Sequence, residues 1–297
     1  MLTGLNKAQP GKGDSMTHQE DRGKPKGILV LIGGGDYEQA EFIDRFMLKQ
    51  AGGADAPVVF LPAAHPSRRM GEKFIEYYRS LGAQNVCVVP VFEREDAYSE
   101  ENIKLIHDAK LIFFGWGTSG RLISVLWDTP LLEALDVAYH RGSVMGCMSA
   151  CCRAAGEVSI VRGTGIEALK EGLQEGTLRE DSSSRGPVQL VKGFNWVPGL
   201  ALESHLSEWN RYGNLFLMAA LRPELTWIGI DESTALVVYP DERVEAIGSG
   251  NVFVFRRAKP APVLPPQSGK ALKACGLHLD VLSHDTTTTL SALRSSG

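Results

Sequence analysis

The first half of the chain alternates short apolar runs with polar stretches of helical pattern. The apolar runs lie at residues 28–32, 58–62, 85–91 and 111–114. A continuous apolar run is typical of a strand that is buried on both faces of a sheet. The alternation predicts parallel strands joined by right-handed crossovers. We therefore expect an α/β fold in three layers, with a doubly wound, mainly parallel sheet, helices on both faces, and ligands bound beyond the carboxyl ends of the strands.

A fifth apolar run leads into the stretch GSVMGCMSACCRAAGEVSI at residues 142–160. It combines a strand, a turn around Ser149 and a helical segment, which is the pattern of a nucleophile elbow. The residues two before and two after the serine, Cys147 and Cys151, are small but are not glycine. N–H groups at the start of the following helix would face an oxyanion. The alternative interpretation is a buried strand–helix junction whose small residues serve packing.

Two glycine-rich turns follow predicted strands at the same edge of the sheet. The first, GGGD at residues 33–36, matches neither the Walker loop nor the GxGxxG motif, the two glycine-rich motifs that bind phosphate. We therefore interpret it as a tight turn that brings backbone close to the site. The second, GWGTSG at residues 115–120, can donate a backbone N–H to an oxyanion. Trp116 in this second turn is a candidate pocket wall.

A serine nucleophile needs a histidine base and a carboxylate that orients it. Among seven histidines, His205 is the best placed, because it follows a predicted strand end and precedes a helix, and His65 is a reserve candidate. The residues leave two carboxylates open as the third member, Glu167 and Glu203. No His, Cys, Asp or Glu grouping has metal-ligand spacing, so we expect no metal and no other cofactor.

Composition limits the classes of partner. A net charge of −4, with 43% hydrophobic and 22% charged residues, predicts a soluble globular protein and argues against nucleic-acid binding. Five cysteines, an odd number, suit neither a disulfide framework nor a zinc ribbon, and they favour a reducing cytoplasm. The polar N-terminus has no signal-peptide core, and no apolar stretch approaches the length of a membrane span.

The chain is predicted to form one domain over residues 26–290. Residues 1–25 lack periodicity and should be a disordered extension, and residues 257–272 should be a flexible Pro- and Lys-rich linker. Residues 243–255 read as a β-hairpin in the C-terminal region. The charged and small residues at 163–186 predict loops near the site.

Three segments together resemble one known family. These are GCMSACCRAAG at residues 146–156, FFGWGTSGRL at 113–122 and IGIDESTALVV at 228–238. They are similar to the motifs of the cyanophycinase and dipeptidase E family of serine peptidases, whose fold is related to that of class I glutamine amidotransferases. The resemblance covers about residues 26–290, since GGGD, ESHLSEWNR at 203–211 and the C-terminal GLHLDVLSHDTTTTL also fit.

The resemblance implies roles for individual residues. Ser149 matches the nucleophile, His205 the base and Glu167 the third triad member, while Gly117 and Ala150 match the residues whose N–H groups form the oxyanion hole. Six further positions match substrate-binding residues, namely Trp116, Ser119, Glu203, Trp209, Arg211 and Asn214. Members of the family cleave β-aspartyl-arginine dipeptides from cyanophycin or act on N-terminal aspartyl dipeptides.

Departures from the family pattern fall at the elbow, where Met148 and Cys151 stand in place of a threonine and a glycine, and on the substrate-binding positions. Trp209 and Asn214 stand where the family has arginines, while Arg211 remains. Arginine binds carboxylates in a bidentate manner that asparagine cannot reproduce. We therefore expect a substrate other than cyanophycin, namely a smaller or less acidic peptide with one carboxylate on Arg211 and an apolar group near Trp116 and Trp209.

The expected function is that of a serine exopeptidase or dipeptidase that forms an acyl-enzyme on Ser149 and acts on a small peptide or isopeptide. One alternative is a catalytically inactive homologue that binds a peptide or small ligand. Another is a cysteine-dependent, amidotransferase-like enzyme that uses Cys147, Cys151 or Cys152. Relatives are often dimers, so the resemblance also suggests a homodimer.

Overall fold

The computed structural model describes residues 23–163, 165–175, 187–257, 262–266 and 270–294. Within these ranges the chain forms an α/β fold, which is the class that the alternation of apolar runs and helices predicts. The strands form two β-sheets. Most of the predicted N-terminal extension, the segment 180–186 and part of the predicted linker lie outside the described residues. None of the described helices has the length and apolar character needed to cross a membrane.

The first sheet contains the five strands predicted from the N-terminal half. Its strands are β1 (Leu29–Ile32), β2 (Val58–Leu61), β3 (Val86–Val88), β4 (Leu111–Phe114), β5 (Val144–Met148), β11 (Thr234–Val238), β12 (Arg243–Gly248) and β15 (Thr287–Thr289). Their order in the sheet is β15-β12-β11-β1-β5-β4-β2-β3, and β1, β5, β4, β2 and β3 pair in parallel. The antiparallel strands β11, β12 and β15 extend the sheet beyond β1.

The presence of a second sheet differs from the single sheet expected from the sequence. Its strands are β6 (Val158–Arg162), β7 (Leu173–Glu175), β8 (Val188–Lys192), β9 (Leu200–Ser204), β10 (Thr226–Ile230), β13 (Val252–Arg257) and β14 (Leu277–Leu282). Their order in the sheet is β14-β13-β10-β9-β6-β8-β7. In β9, Leu200 and Leu202 pack in one apolar cluster and Ala201 in another, so the strand is buried on both faces. An apolar run reveals such burial but not which sheet a strand joins.

The helices cover both sheets. The side chains of α1 and α2 pack on one face of the first sheet, those of α3 to α6 share a cluster with both sheets, and those of α8 pack on the outer face of the second. The helices are α1 (Tyr37–Gln50), α2 (Met70–Ser80), α3 (Glu100–Asp108), α4 (Ser119–Leu126), α5 (Pro130–Arg141), α6 (Ala150–Ala154), α7 (Ala168–Glu171), α8 (Tyr212–Leu221) and α9 (Leu290–Arg294).

Two consecutive helices, α4 and α5, follow the second glycine-rich turn. The first ends at Leu126, because the ψ of Trp127 is 128° and no longer helical, and Asp128 then has a positive φ of 56°. Thr129 then caps the second, because its Oγ1 accepts a hydrogen bond from the N–H of Leu132, and Pro130 occupies the first helical position.

The hairpin predicted over residues 243–255 is wrong in its pairing. β12 pairs with β11 and β15 in the first sheet, whereas β13 pairs with β10 and β14 in the second. The turn at residues 249–251 therefore carries the chain from one sheet to the other. The turn at residues 231–233, between β10 and β11, makes the same crossing in the opposite direction.

Candidate active site

Ser149 lies on a sharp turn between β5 and α6. Its φ is 52° and its ψ is −100°, a conformation that is costly for a residue with a Cβ. The N–H of Ser149 donates to the carbonyl of Ile32 at 3.0 Å, which holds the turn against the end of β1. The turn thus has the backbone geometry of the elbow that the sequence predicts.

His205 follows β9 and also has a positive φ, of 51°. Its backbone N–H donates to the carbonyl of Gly33 at 2.9 Å, so the first glycine-rich turn fixes the residue's position. A Cβ on Gly34 would lie 2.1 Å from Cε1 of the imidazole, which explains why a glycine is needed there. His205 Nε2 lies 2.8 Å from Ser149 Oγ, within hydrogen-bond distance.

The other imidazole nitrogen, Nδ1, lies 2.6 Å from Oε1 of Glu232. Glu232 belongs to the turn at which the chain crosses from β10 to β11. Two contacts hold this turn: the N–H of Ser233 donates to the carbonyl of Gly34, and the carboxylate of Asp231 accepts from Oγ and N–H of Ser207. The second sheet and the crossing between the sheets thus bring His205 and Glu232 to the serine of the first sheet.

The expected third member, Glu167, is therefore corrected to Glu232. Glu167 ends a short 3₁₀ helix, Gly165–Glu167, that packs against α7 and α8, and it is Glu232 that bonds to His205 Nδ1. The second candidate, Glu203, is also excluded, because its carboxylate binds Arg211 and Asn214. The sequence feature that could have indicated Glu232 is the polar segment DEST at residues 231–234, which lies between two apolar runs at the end of a strand.

Burial lowers the pKa of His205 below its ordinary value of 6.5, because desolvation disfavours the imidazolium. The hydrogen bond that His205 donates to the carboxylate of Glu232 raises the pKa, and the nearby guanidinium groups of Arg211 and Arg153 lower it. The imidazole is therefore neutral at pH 7 and can accept the proton of Ser149.

A cavity of about 310 Å³ opens directly in front of these groups. Besides Ser149, His205 and Glu232, it is lined by residues of both glycine-rich turns and by two tryptophans. These are Gly34, Gly35, Asp36, Trp116, Gly117, Met148 and Trp209. Its volume is at the lower end of the range for small-molecule sites.

Two of the six predicted substrate-binding residues, Trp116 and Trp209, line this cavity. Ser119 does not, since it is 1% exposed and its Oγ donates to the carbonyl of Ile160 at 3.0 Å. Its predicted role in substrate binding is therefore wrong, because the side chain serves the contact between α4 and β6.

Glu203, Arg211 and Asn214 also fail as substrate contacts, because Arg211 and Asn214 both bind the carboxylate of Glu203. Glu203 is fully buried, and its Oε1 accepts from Arg211 at 2.7 Å while its Oε2 accepts from Asn214 at 2.9 Å. Arg153 of α6 approaches the same carboxylate at 3.9 Å. The predicted carboxylate site on Arg211 is thus filled by a carboxylate of the protein itself.

Trp209 contacts His205 and Arg211. Its indole stacks on the imidazole of His205, with ring centroids 4.5 Å apart and ring planes at 17°. The guanidinium of Arg211 lies 4.5 Å from the same indole. Trp209 is nevertheless 58% exposed, so it covers the base from the solvent side.

The two residues expected to form an oxyanion hole lie beside Ser149. Gly117 lines the cavity with a φ of 152°, and a Cβ there would lie 2.0 Å from the carbonyl oxygen of Ala64. Ala150 follows the serine as the first residue of α6, where backbone N–H groups have no partner within the helix.

Cysteines surround the elbow but face the interior. Cys147, Cys151 and Cys152 are all 0% exposed, and burial raises the pKa of the thiols of Cys151 and Cys152. Among the described residues no group of three or more His, Cys, Asp or Glu side chains could hold a metal ion.

Comparison with known proteins identifies the family. Curated relatives include the cyanophycinase of Synechococcus elongatus, 29% identical over 241 residues that make up 80% of this chain and 70% of that protein. The cyanophycinase of Geminocystis herdmanii is 28% identical over 229 residues, covering 76% of this chain and 79% of the relative. The cyanophycinase of Trichormus variabilis is 25% identical over 261 residues, covering 86% and 83%.

A solved structure and a family model agree with these relatives. The crystal structure of a peptidase from an acI-B1 Actinobacterium has a TM-score of 0.63 at 21% identity, covering 90% of this chain and 98% of that chain, and so shares the fold. The model of peptidase family S51 matches residues 29–246. The resemblance predicted from the motifs is thereby confirmed, and the chain belongs to peptidase family S51 as a peptidase-type hydrolase.

Proposed function

We propose that this protein is a serine exopeptidase that cleaves a small peptide or isopeptide through an acyl-enzyme on Ser149. One observation carries the proposal: His205 lies 2.8 Å from Ser149 Oγ through Nε2 and 2.6 Å from Glu232 through Nδ1. A serine between a strained turn and a histidine that a carboxylate orients is the arrangement that activates a hydroxyl as a nucleophile.

The reaction follows from these contacts. Ser149 Oγ attacks the scissile carbonyl carbon while His205 Nε2 takes the hydroxyl proton. The imidazolium, stabilised by Glu232, then gives that proton to the leaving amine, and an ester on Ser149 remains. Water attacks the ester with His205 again as the base, which releases the carboxylic acid and restores the serine.

The negative charge on the substrate oxygen needs donors at the elbow. We assign this role to the backbone N–H groups of Gly117, which lines the same cavity as Ser149, and of Ala150, the first residue of α6. Backbone donors fixed before the reaction stabilise such a charge without reorganisation, and loss of one donor typically slows a serine enzyme by about 100- to 1,000-fold.

The cavity favours a small substrate. A volume of about 310 Å³ between Trp116 and Trp209 suits one or two residues of a peptide better than an extended polymer. Arg211, the one arginine kept at the substrate-binding positions, is bound by Glu203. The proposed substrate is therefore a small peptide other than cyanophycin, with an apolar or aromatic contact to the tryptophans.

The alternatives have less support. A cysteine nucleophile would need an accessible thiolate, whereas Cys147, Cys151 and Cys152 are fully buried. An inactive ligand-binding homologue would have no need for a neutral imidazole between a hydroxyl and a carboxylate, yet the three groups are within hydrogen-bond distance.

A fluorophosphonate probe tests the proposal directly, because it labels activated serines. We expect labelling of the wild-type protein at Ser149, no labelling of Ser149→Ala, and strongly slowed labelling of His205→Ala. A digest of a dipeptide library that includes α- and β-aspartyl peptides, with Ser149→Ala as the control, then gives the substrate. Labelling of His205→Ala at the wild-type rate would refute the proposed triad, and iodoacetamide labelling of a cysteine with a silent serine would favour the cysteine alternative.

A further inference from the structure

The charges that face the cavity are of one sign. Asp36 and Glu232 line it together with two indoles, and no lysine or arginine does so within the described ranges. The nearest buried guanidinium groups, those of Arg153 and Arg211, are directed at the carboxylate of Glu203. The cavity therefore offers carboxylates and aromatic faces, which attract cations, and no partner for a carboxylate of the substrate.

The side chain of Asp36 does not cap the helix that it precedes. It is the N-cap residue of α1, where an aspartate usually accepts a hydrogen bond from the second or third helical N–H. Its backbone is extended, with φ −84° and ψ 154°, but its side chain makes no such capping bond. The side chain is exposed at the wall of the cavity that contains Ser149.

Glu232 cannot take this role, because its carboxylate bonds to His205 Nδ1 at 2.6 Å. Of the two carboxylates at the cavity, Asp36 is thus the one that remains for a ligand. Trp116, 36% exposed at the same wall, adds an aromatic face, which attracts cations.

We propose that Asp36 and Trp116 form a subsite that binds a cationic group of the peptide, either its free α-ammonium group or the ammonium or guanidinium of a basic side chain. This inference rests on the proposed function, since it assigns the substrate class of the same cavity. It reverses the expectation of a carboxylate anchor on Arg211, because the cavity selects for positive rather than negative charge.

The kinetic test uses three p-nitroanilide substrates that differ in one feature each. The first has a free N-terminus and neutral side chains, the second is N-acetylated and neutral, and the third is N-acetylated with one lysine side chain. In the wild type we expect kcat/KM for the first or the third to exceed that for the second by about 10-fold or more. Which of the two exceeds it identifies the source of the cation.

Asp36→Asn should reduce this preference for the cationic substrate about 10-fold, because the amide keeps the shape of the carboxylate and loses its charge. Asp55→Asn is the matched control: it removes the same charge from an exposed residue before β2, at the opposite end of the sheet, and should leave the preference unchanged. An equal preference in wild type and Asp36→Asn, with the serine still labelled by the fluorophosphonate, would overturn the subsite and leave the proposed hydrolase standing.

A binding measurement tests the proposed subsite even if the protein cleaves none of these substrates. In the Ser149→Ala background, calorimetric titration of the same three peptides as amides should show about 10-fold weaker binding of the cationic peptide when Asp36→Asn is added. If the wild-type serine is not labelled and no peptide is cleaved, the proposed hydrolase fails while this titration still decides the subsite. Equal affinity of the cationic and the acetylated neutral peptide would refute it.

Discussion

Replacement of Glu232 by glutamine should abolish most of the reactivity of Ser149. The carboxylate accepts a hydrogen bond from His205 Nδ1 at 2.6 Å, and the imidazole is mostly buried, so few other partners can replace it. E232Q keeps the size of the side chain but removes the charge that stabilises the imidazolium. An amide N–H facing Nδ1 would also favour the tautomer that places the proton on Nε2, where it cannot accept the proton of Ser149.

The size of the effect follows from two contributions. A hydrogen bond to a charged group contributes ~1.5–3 kcal/mol, which corresponds to a rate effect of roughly 10- to 150-fold. The wrong tautomer adds to this, since removal of the equivalent charge from a serine protease triad costs about 10⁴-fold in kcat. We therefore expect the second-order rate of fluorophosphonate labelling to fall by at least about 100-fold in E232Q.

E167Q is the matched control for this experiment, because Glu167 is the carboxylate that the sequence motif suggested. Both variants exchange a glutamate for its amide, and circular dichroism checks that both fold. Labelling of E167Q should stay within about 2-fold of the wild-type rate. A loss in E167Q as large as that in E232Q, or labelling of E232Q at the wild-type rate, would refute the assignment of the triad.

Three further outcomes are expected. Because burial lowers the pKa of His205, the labelling rate should rise with pH to a plateau with a midpoint below the ordinary value of 6.5, and a midpoint above 7.5 would contradict the buried, neutral base. Trp209→Ala should slow labelling about 10-fold and shift the midpoint of the pH profile, because the indole stacks on the imidazole of His205. Trp209→Phe keeps an aromatic ring at this position and should restore most of the rate. Equal rates and midpoints in the wild type and both variants would exclude a positioning role for Trp209. Burial raises the pKa of Asp44, which accepts hydrogen bonds from the hydroxyls of Tyr77 and Tyr78, to about 7. The folded protein thus keeps a proton on Asp44 that the unfolded chain loses above about pH 4, so the free energy of unfolding falls as the pH rises to about 7. The Tm of Asp44→Asn relative to that of the wild type should therefore increase between pH 5 and pH 8. A Tm difference that does not change with pH would contradict this.

The parts of the site that the sequence predicts are those with a local signature. The elbow at Ser149 needs only a strand, small neighbours and a helix, and all of these lie within one short stretch. His205 is recognisable because it lies between a strand end and a helix. The two side chains lie 2.8 Å apart, but not at one edge of a single sheet: Ser149 follows β5 of the first sheet, whereas His205 follows β9 of the second.

Glu232 could not be predicted from its neighbours in the sequence, because its position depends on how the two sheets are connected. Its approach to His205 depends on the crossing of the chain from the second sheet to the first, and the apolar runs do not reveal that there are two sheets. Glu203 appeared plausible because residues two apart on a strand share a face. His205, however, lies beyond the end of β9 with a φ of 51°, so it turns away from the face on which Glu203 meets Arg211.

The buried cluster of Glu203, Arg153 and Arg211 links the altered substrate positions to the altered chemistry of the cavity. Two guanidinium groups and one carboxylate leave a formal charge of +1 behind His205, and both arginines lower the pKa of its imidazole. Because Glu203 holds Arg211 at 2.7 Å, this positive charge acts on the imidazole of His205 and does not line the cavity. The cavity itself is left with the carboxylates of Asp36 and Glu232. The cluster thus adds to burial, the main cause of the lowered pKa of His205, and it leaves the cavity without a positive charge among its described lining residues.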